Sequence, residues 1–222
     1  HKGIYGNCCR RITECLGVRP VAIELGLSAE RSMANTIKEL EGVNFFSNSD
    51  AHSLPNIGRE FNLLNLNDNS FSGLNDLWTS KGGQVLKNFG MPPAMGKYYR
   101  SYCPNCHLII QTAEASFSCP QCHSRDVIPG VYDRVKAIAD REPLEDHAYT
   151  YHLSLQALPG IGPQTYSRLL KHYGSEIAIL HEVPLEDLRQ MMRDDQVELI
   201  FKMRHGGLQF AVGGGGIYGK LK

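Results

Sequence analysis

No stretch of this chain approaches the roughly 20 consecutive apolar residues that a membrane-spanning helix needs, which excludes an α-helical membrane protein. No basic, apolar and small-residue signal segment opens it either. Net charge is missing too. The 23 basic residues cancel the 23 acidic ones, so no global field drives the chain onto a polyanion or a lipid surface. Any phosphate binding must come from local patches and backbone donors. A disulfide framework is also absent: of seven cysteines, Cys8, Cys9 and Cys15 stand outside any pairing motif. An odd remainder without a secretion signal fits a reducing, cytoplasmic setting. An initiator methionine is lacking as well. The opening "HKGIYGNCCR" soon reaches a core-like strand, "PVAIEL", which reads as a chain entered in mid-domain.

What is present divides into three regions, and 222 residues allow one large domain or two smaller ones. Residues 1–88 alternate strand-like runs at 20–25 and 43–46 with a helical pattern over 28–40. Ser28 is a natural N-cap there, and Glu30 sets a negative charge in the first turn. Strand, helix, strand at this spacing predicts a β-α-β unit. Residues 65–72 are polar, and "KGG" and "GMPPAMG" then predict a linker around 88–97, where Pro and Gly prevent regular structure. Residues 98–130 form a cysteine module. Residues 131–222 read as helical, with apolar residues at three- and four-residue steps in "VYDRVKAIAD", "SLQAL", "PQTYSRLLKHY" and "VELIFKMRHG". The final "GGGGIYGKLK" has no packing capacity before Ile217 and Tyr218.

At the end of the second strand-like run stands "SNSDAHS". Alternation along a strand predicts that Asp50 and His52 point to one side, at the C-terminal strand end where α/β folds keep their active sites. A carboxylate and an imidazole held together are a pair of ligands for a hydrolytic metal ion. The alternative is a plain turn, since Ser, Asn and Asp are common turn formers.

Cys103-Pro104-Asn105-Cys106 and Cys119-Pro120-Gln121-Cys122 carry the strongest signal. Each pair sets two thiolates on one tight turn, and the twelve residues between them can form a short hairpin. Four sulfurs then surround a tetrahedral ion, Zn²⁺, with no open position for a catalytic water. His107 and His123 follow as surface residues on the knuckles.

A second motif, "LQALPGIGPQTYSRLLKHYGS", joins an apolar helix end through Pro159, Gly160, Ile161 and Gly162 to another helix. Glycines there let amides point outward from a helix N-terminus and bind a phosphate without side-chain charge. Arg168, Lys171 and His172 would add a salt-dependent contribution on a neighbouring phosphate. This looks like a helix-hairpin-helix, a sequence-independent binder of the DNA backbone. An αα-hairpin that merely packs is the alternative. The acidic stretch 182–198 leaves one edge of this region to face phosphates.

Taken in order, "AIELGLSAE", "SNSDAHSLPNIGREFNLL", "CPNC", "CPQC", "LPGIGPQTYSRLLKHYG" and "GGGGIYG" resemble the PHP-domain nucleases of the endonuclease Q type over almost the whole chain. The resemblance implies an α/β plus α architecture. Its parts are the C-terminal portion of a PHP domain (a distorted β/α barrel) over 1–88, a four-cysteine zinc ribbon over 98–130, and a helical DNA-binding domain with a helix-hairpin-helix over 131–222. It implies metal-dependent cleavage of double-stranded DNA on the 5′ side of uracil, hypoxanthine or xanthine, or at abasic sites, leaving a 3′-hydroxyl and a 5′-phosphate. Asp50 and His52 would be ligands for two or three divalent ions (Mg²⁺, Mn²⁺ or Zn²⁺), beside a structural Zn²⁺ on the cysteines. The family's H-x-H and intermediate ligands do not occur upstream of Asp50 here. The expected partner is therefore a missing N-terminal part of the same protein, without which this chain is expected not to cut. His1, Glu24 and Arg59 are possible neighbours of the site. Glu24 reads equally well as a strand-end carboxylate, and Arg59 as the partner of Glu60 or another acid. A small-molecule phosphatase and a non-catalytic DNA-binding adaptor stand as alternatives. No clear clamp-binding peptide is present.

Overall fold

The computed structural model describes residues 3–112, 118–144 and 146–222. After a short helix α1 (Ile12–Leu16), strand β1 (Ala22–Leu25) pairs in parallel with β2 (Asn44–Ser47), placing Glu24 opposite Phe46. The link between them is helical, as a β-α-β unit requires. The expected continuous helix over 28–40 is instead a four-residue helix α2 (Arg31–Ala34) and a 3₁₀ turn (Lys38–Leu40). The reason is tertiary. The Thr36 carbonyl accepts from the amides of Asp140 and Arg141, the Asn35 carbonyl accepts from the Arg141 side chain, and the Lys38 amide donates to Asp140 Oδ1 at 2.6 Å. These partners take the backbone groups that would have carried the helix onward. Ser28 is not the N-cap. It is buried against Gly96, and Glu30 occupies the cap position, its carboxylate accepting from the Ser32 hydroxyl and not from a helix amide.

Strands β3 (Phe61–Asn65) and β4 (Gln84–Gly90) form an antiparallel pair around helix α3 (Phe71–Trp78), whose N-cap Ser70 accepts from the amides of Ser72 and Gly73. The expected linker is thus partly strand, because β4 runs to Gly90. Two short strands, β5 (Tyr102–Cys103) and β6 (Leu108–Ile109), carry the first cysteine pair, and helix α4 (Val131–Ile138) follows. Packing does not change at 131. Ile138 of α4 is buried in one core with Ile12, Leu25, Leu40, Val43 and Phe45, and β7 (Tyr149–Tyr151) pairs in parallel with β4. The first packed unit therefore extends beyond the cysteine module, and a second core begins at Leu153.

That second core collects Leu155, Leu158, Leu169, Ile179, Leu188 and Ile200 from helices α5 (Pro163–Tyr173), α6 (Glu176–His181), α7 (Leu185–Leu188) and α8 (Asp194–Arg204) and from the turn before them. Each such side chain stabilises by about 1.5–3 kcal/mol when removed from water. Arg204 satisfies three carbonyls at and after the end of α6, those of Ile179, Leu180 and Val183. Strands β8 (Phe210–Ala211) and β9 (Lys220–Leu221) close the chain. The glycine run between them is ordered by backbone contacts. The amides of Gly213, Gly216 and Gly219 donate to the carbonyls of Ala94, Lys97 and Met95. At Gly213 and Gly215 a Cβ would collide with Gly96 and with the Tyr102 ring, so glycine is what lets the chain segments meet.

No helix among the described residues is long and apolar enough to cross a membrane.

Candidate functional site

Asp50 and His52 lie just beyond the C-terminal end of β2, but not on the strand. The strand ends at Ser47, and Asp50 adopts a left-handed backbone, φ 44°, so strand alternation does not orient the pair. Few non-glycine residues take that conformation, and Asp is among the more tolerant. Both side chains are exposed. His52 Nδ1 lies 2.8 Å from the Asp50 carbonyl, a bond in which the ring donates and Nε2 is left as the acceptor. That is the arrangement usual for a metal-binding histidine, whose second nitrogen is fixed by a carbonyl. The His52 ring nitrogen and the exposed Asp50 carboxylate are each of a type that can bind a metal ion. Among the described residues no third His, Cys, Asp or Glu donor clusters with them.

The loop is held from beneath. Asn62 on β3 bridges Ser47, accepting from its amide and donating to its carbonyl at 2.8 and 3.0 Å. Buried Asn88 on β4 donates both to Asn62 Oδ1 and to the Phe45 carbonyl. Side-chain amides thus replace a strand neighbour along β2. Arg59 Nε donates to the Ser49 carbonyl at 2.8 Å, bracing the loop from its far end. Asp50 and Glu24 both line a cleft of about 590 Å³ with Lys97, Tyr98 and Arg134, and His52 is not among its lining residues. Next to Arg59, Glu60 is 4% exposed and accepts from the Met91 amide at 3.1 Å. Burial pushes its carboxyl up to about 7, against the pull of that amide and of Arg59, while Glu24 adds to the rise. Sequence reasoning named Glu60 only as a partner for Arg59, which instead donates to Ser49, and passed over Asn62. Polar residues in the strand pattern "EFNLLN" were the only signal. His1 lies outside the described residues.

The four cysteines come together: their sulfurs lie within 4.8 Å of one another, with Cys103–Cys122 and Cys106–Cys119 at 3.5 and 3.4 Å. Sulfurs on a tetrahedral ion at about 2.3 Å stand roughly 3.8 Å apart, so the cluster fits zinc with little adjustment. His107 and His123 each take a left-handed φ, 56° and 57°, which turns both knuckles in the same way. His107 also meets the Tyr102 hydroxyl at 2.8 Å.

In the second motif only the later helix is regular. The segment before the turn is a single 3₁₀ turn, Leu155–Ala157, while α5 starts on Gly162 with Pro163 at N1. Gly160 (φ 80°) and Gly162 are exposed, and their amides make no hydrogen bond among the described residues. Ile161 is different. Its side chain is buried in the helical core and its amide donates to the Leu158 carbonyl, so it shapes the turn and offers no free donor. Arg168 donates to the Met191 carbonyl at 2.8 Å. Lys171 is exposed eight residues along α5, roughly 12 Å from the turn. Arg193 had no place in the sequence reading. A Cβ on Gly160 would lie 2.7 Å from its guanidinium, which Asp195 holds by two bonds of 2.7 and 2.9 Å.

An aromatic cluster sets this motif relative to the Asp50 loop. Phe61 and Phe89 stack at 4.4 Å across β3 and β4, and His152 and His181 pack edge-on against them. The two imidazoles share a hydrogen bond of 2.8 Å, and burial pushes both down to about 4.

No family model matches the sequence. Among curated proteins it is 36% identical to the uncharacterized protein YqxK of Bacillus subtilis, over all of this chain and 58% of that protein. It is 31% identical to the uncharacterized protein MJ0043 of Methanocaldococcus jannaschii, over 95% of this chain and 29% of that one. The lesion-specific endonuclease PfuEndoQ from Pyrococcus furiosus has a similar structure, with a TM-score of 0.84 and 28% identity over 99% of this chain and 59% of its own. So does an endonuclease Q in complex with a 27-mer duplex carrying an abasic lesion at the active site, with a TM-score of 0.80 and 27% identity over 99% of this chain and 60% of that one. The chain thus spans three fifths or less of each of these proteins. In fold, and over 99% of its length, the chain is similar to endonuclease Q structures.

Proposed function

We propose that the protein is a metal-dependent DNA repair endonuclease that cuts on the 5′ side of a deaminated base (uracil, hypoxanthine or xanthine) or at an abasic site. The observation that carries this reading is the likeness, over 99% of the chain, to endonuclease Q structures, one of them holding a lesion-bearing duplex. In this reading residues 1–88, with α4 and the strand β7 that pairs with β4, belong to the C-terminal portion of a PHP domain, and 98–130 hold a four-cysteine zinc ribbon. The helical DNA-binding domain, expected from 131 and built on a helix-hairpin-helix, has its own core from Leu153.

Asp50 and His52 Nε2 would hold divalent ions (Mg²⁺, Mn²⁺ or Zn²⁺), and bound there such an ion supplies a Lewis acid and a lowered water pKa. The chain's own residues do the rest. Arg59 keeps the Asp50 loop in place through Ser49, and Glu24 lines the same cleft as Asp50. The amides of Gly160 and Gly162 anchor a backbone phosphate, and exposed Lys171 meets another further along the strand. The damaged nucleotide leaves the base stack to reach the cleft, at a cost that is least where pairing is already weak.

The test uses the full-length protein and labelled duplexes carrying uracil, hypoxanthine, xanthine, an abasic site or no lesion. The expected result is a nick 5′ to the lesion, with 3′-hydroxyl and 5′-phosphate ends, only when a divalent ion is supplied. A duplex that is bound and left uncut would make the protein an adaptor.

A further inference from the structure

The loop after His52 carries two large aliphatic side chains into water. Leu54 is 83% exposed, the most of any large hydrophobic among the described residues, and Ile57 is 68% exposed. A single exposed leucine is ordinary. What distinguishes this pair is its setting. The residues sit three apart across a 3₁₀ turn, Leu54–Asn56, where side chains at that spacing lie on one side. The tip is ordered by backbone bonds from Asn56 to Ser53, Ile57 to Leu54 and Arg59 to Asn56. Its ends are tied to both halves of the proposed machinery. Arg59 grips Ser49, one residue before Asp50, and Gly58 packs toward Ile177 of α6, in the half that carries the Gly160 turn.

Resting on the endonuclease reading above, we propose that Leu54, assisted by Ile57, is a wedge that enters the base stack of duplex DNA at the lesion. It fills the gap vacated by the nucleotide that turns toward Asp50 and His52. Apolar side chains inserted at a base step replace lost stacking contacts and keep the step open. Extrusion otherwise carries an unstacking penalty, so a preordered apolar tip on the loop that carries Asp50 eases access to the cleft. An abasic site already contains the gap and needs the wedge least. Leu54 is a positioning residue in this scheme and touches no reacting atom.

The test compares the full-length protein with Leu54→Ala and with Leu54→Ala/Ile57→Ala. Two duplexes are used, one with a fully paired flank around uracil and one with uracil in a small unpaired bubble. A 2-aminopurine next to the uracil reports unstacking independently of cleavage. The expected result is a 2-aminopurine signal that the variants lose. Nicking of the paired duplex falls about tenfold or more, and nicking of the bubble stays within about twofold. Unchanged fluorescence and unchanged nicking of the paired duplex would overturn the wedge. Equal loss on both duplexes with a lowered melting temperature would also overturn it, because it would mean that Leu54 is a packing residue in the longer protein. If no duplex is nicked and the variants still abolish the fluorescence change, the wedge stands and the nuclease reading fails.

Discussion

Asn62 grips Ser47 by both backbone groups, accepting from its amide at 2.8 Å and donating to its carbonyl at 3.0 Å. This one side chain does for the end of β2 what a neighbouring strand would do, three residues before Asp50. Asn62→Leu leaves two backbone groups of a fully buried residue without partners. It is expected to cost about 1–3 kcal/mol in urea unfolding. It should also reduce nicking more than DNA binding, since the Asp50 loop loses its support. A variant as stable as the parent would show that water replaces the bridge.

Glu60 predicts a pH effect of defined sign. Its carboxyl is raised from 4.5 to about 7 by burial, so between these values the folded state holds a proton that the unfolded state has released. The stability this gives is fully present below about pH 4.5 and is lost as pH rises through about 7. The amount is on the order of 3 kcal/mol. Glu60→Gln keeps an acceptor for the Met91 amide and removes the titration. Urea melts across this range should slope downward for the parent and lie flatter for the variant. Parallel curves would contradict the assignment.

Two glycines separate folding from binding. Gly215 has φ 62° and lies against the Tyr102 ring, so Gly215→Ala is expected to cost about 2–4 kcal/mol. Gly162 has φ −84°, and a Cβ there would meet nothing within 4 Å, so Gly162→Ala should change stability by no more than about 1 kcal/mol. The added methyl would nevertheless stand where a phosphate approaches. Duplex affinity should fall several-fold, with a shallower salt dependence. Unchanged affinity would make the turn a packing element only.

The cysteine cluster predicts one zinc on its four sulfurs, counted apart from any ion at Asp50 and His52. Cys119→Ser should remove it in metal analysis and lower the melting temperature, and a strong chelator should do the same to the parent. A zinc content equal to the parent's would place the ion elsewhere.

Legibility in the sequence followed the range of the interactions. The cysteine pairs could be read because their chemistry depends on residue type and local spacing. The helix over 28–40 could not, since Asp140 and Arg141, far along the chain, decide where it stops. Asn62 and the burial of Glu60 against Met91 went unread for a related reason, as each acts on a partner that local sequence patterns do not bring beside it. The glycine tail has few side chains to pack, and its order comes instead from backbone meeting backbone.

The most direct measurement is the single-turnover nicking rate of a uracil-containing duplex by the full-length protein and by Asp50→Asn, with duplex affinity measured alongside. The Asp50 side chain is exposed and makes no hydrogen bond or ion pair among the described residues, so the substitution should leave binding and melting temperature intact. Nicking is expected to fall at least about a hundredfold. Nicking by Asp50→Asn at the parent's rate would contradict it, and "SNSDAHS" would be no more than a turn.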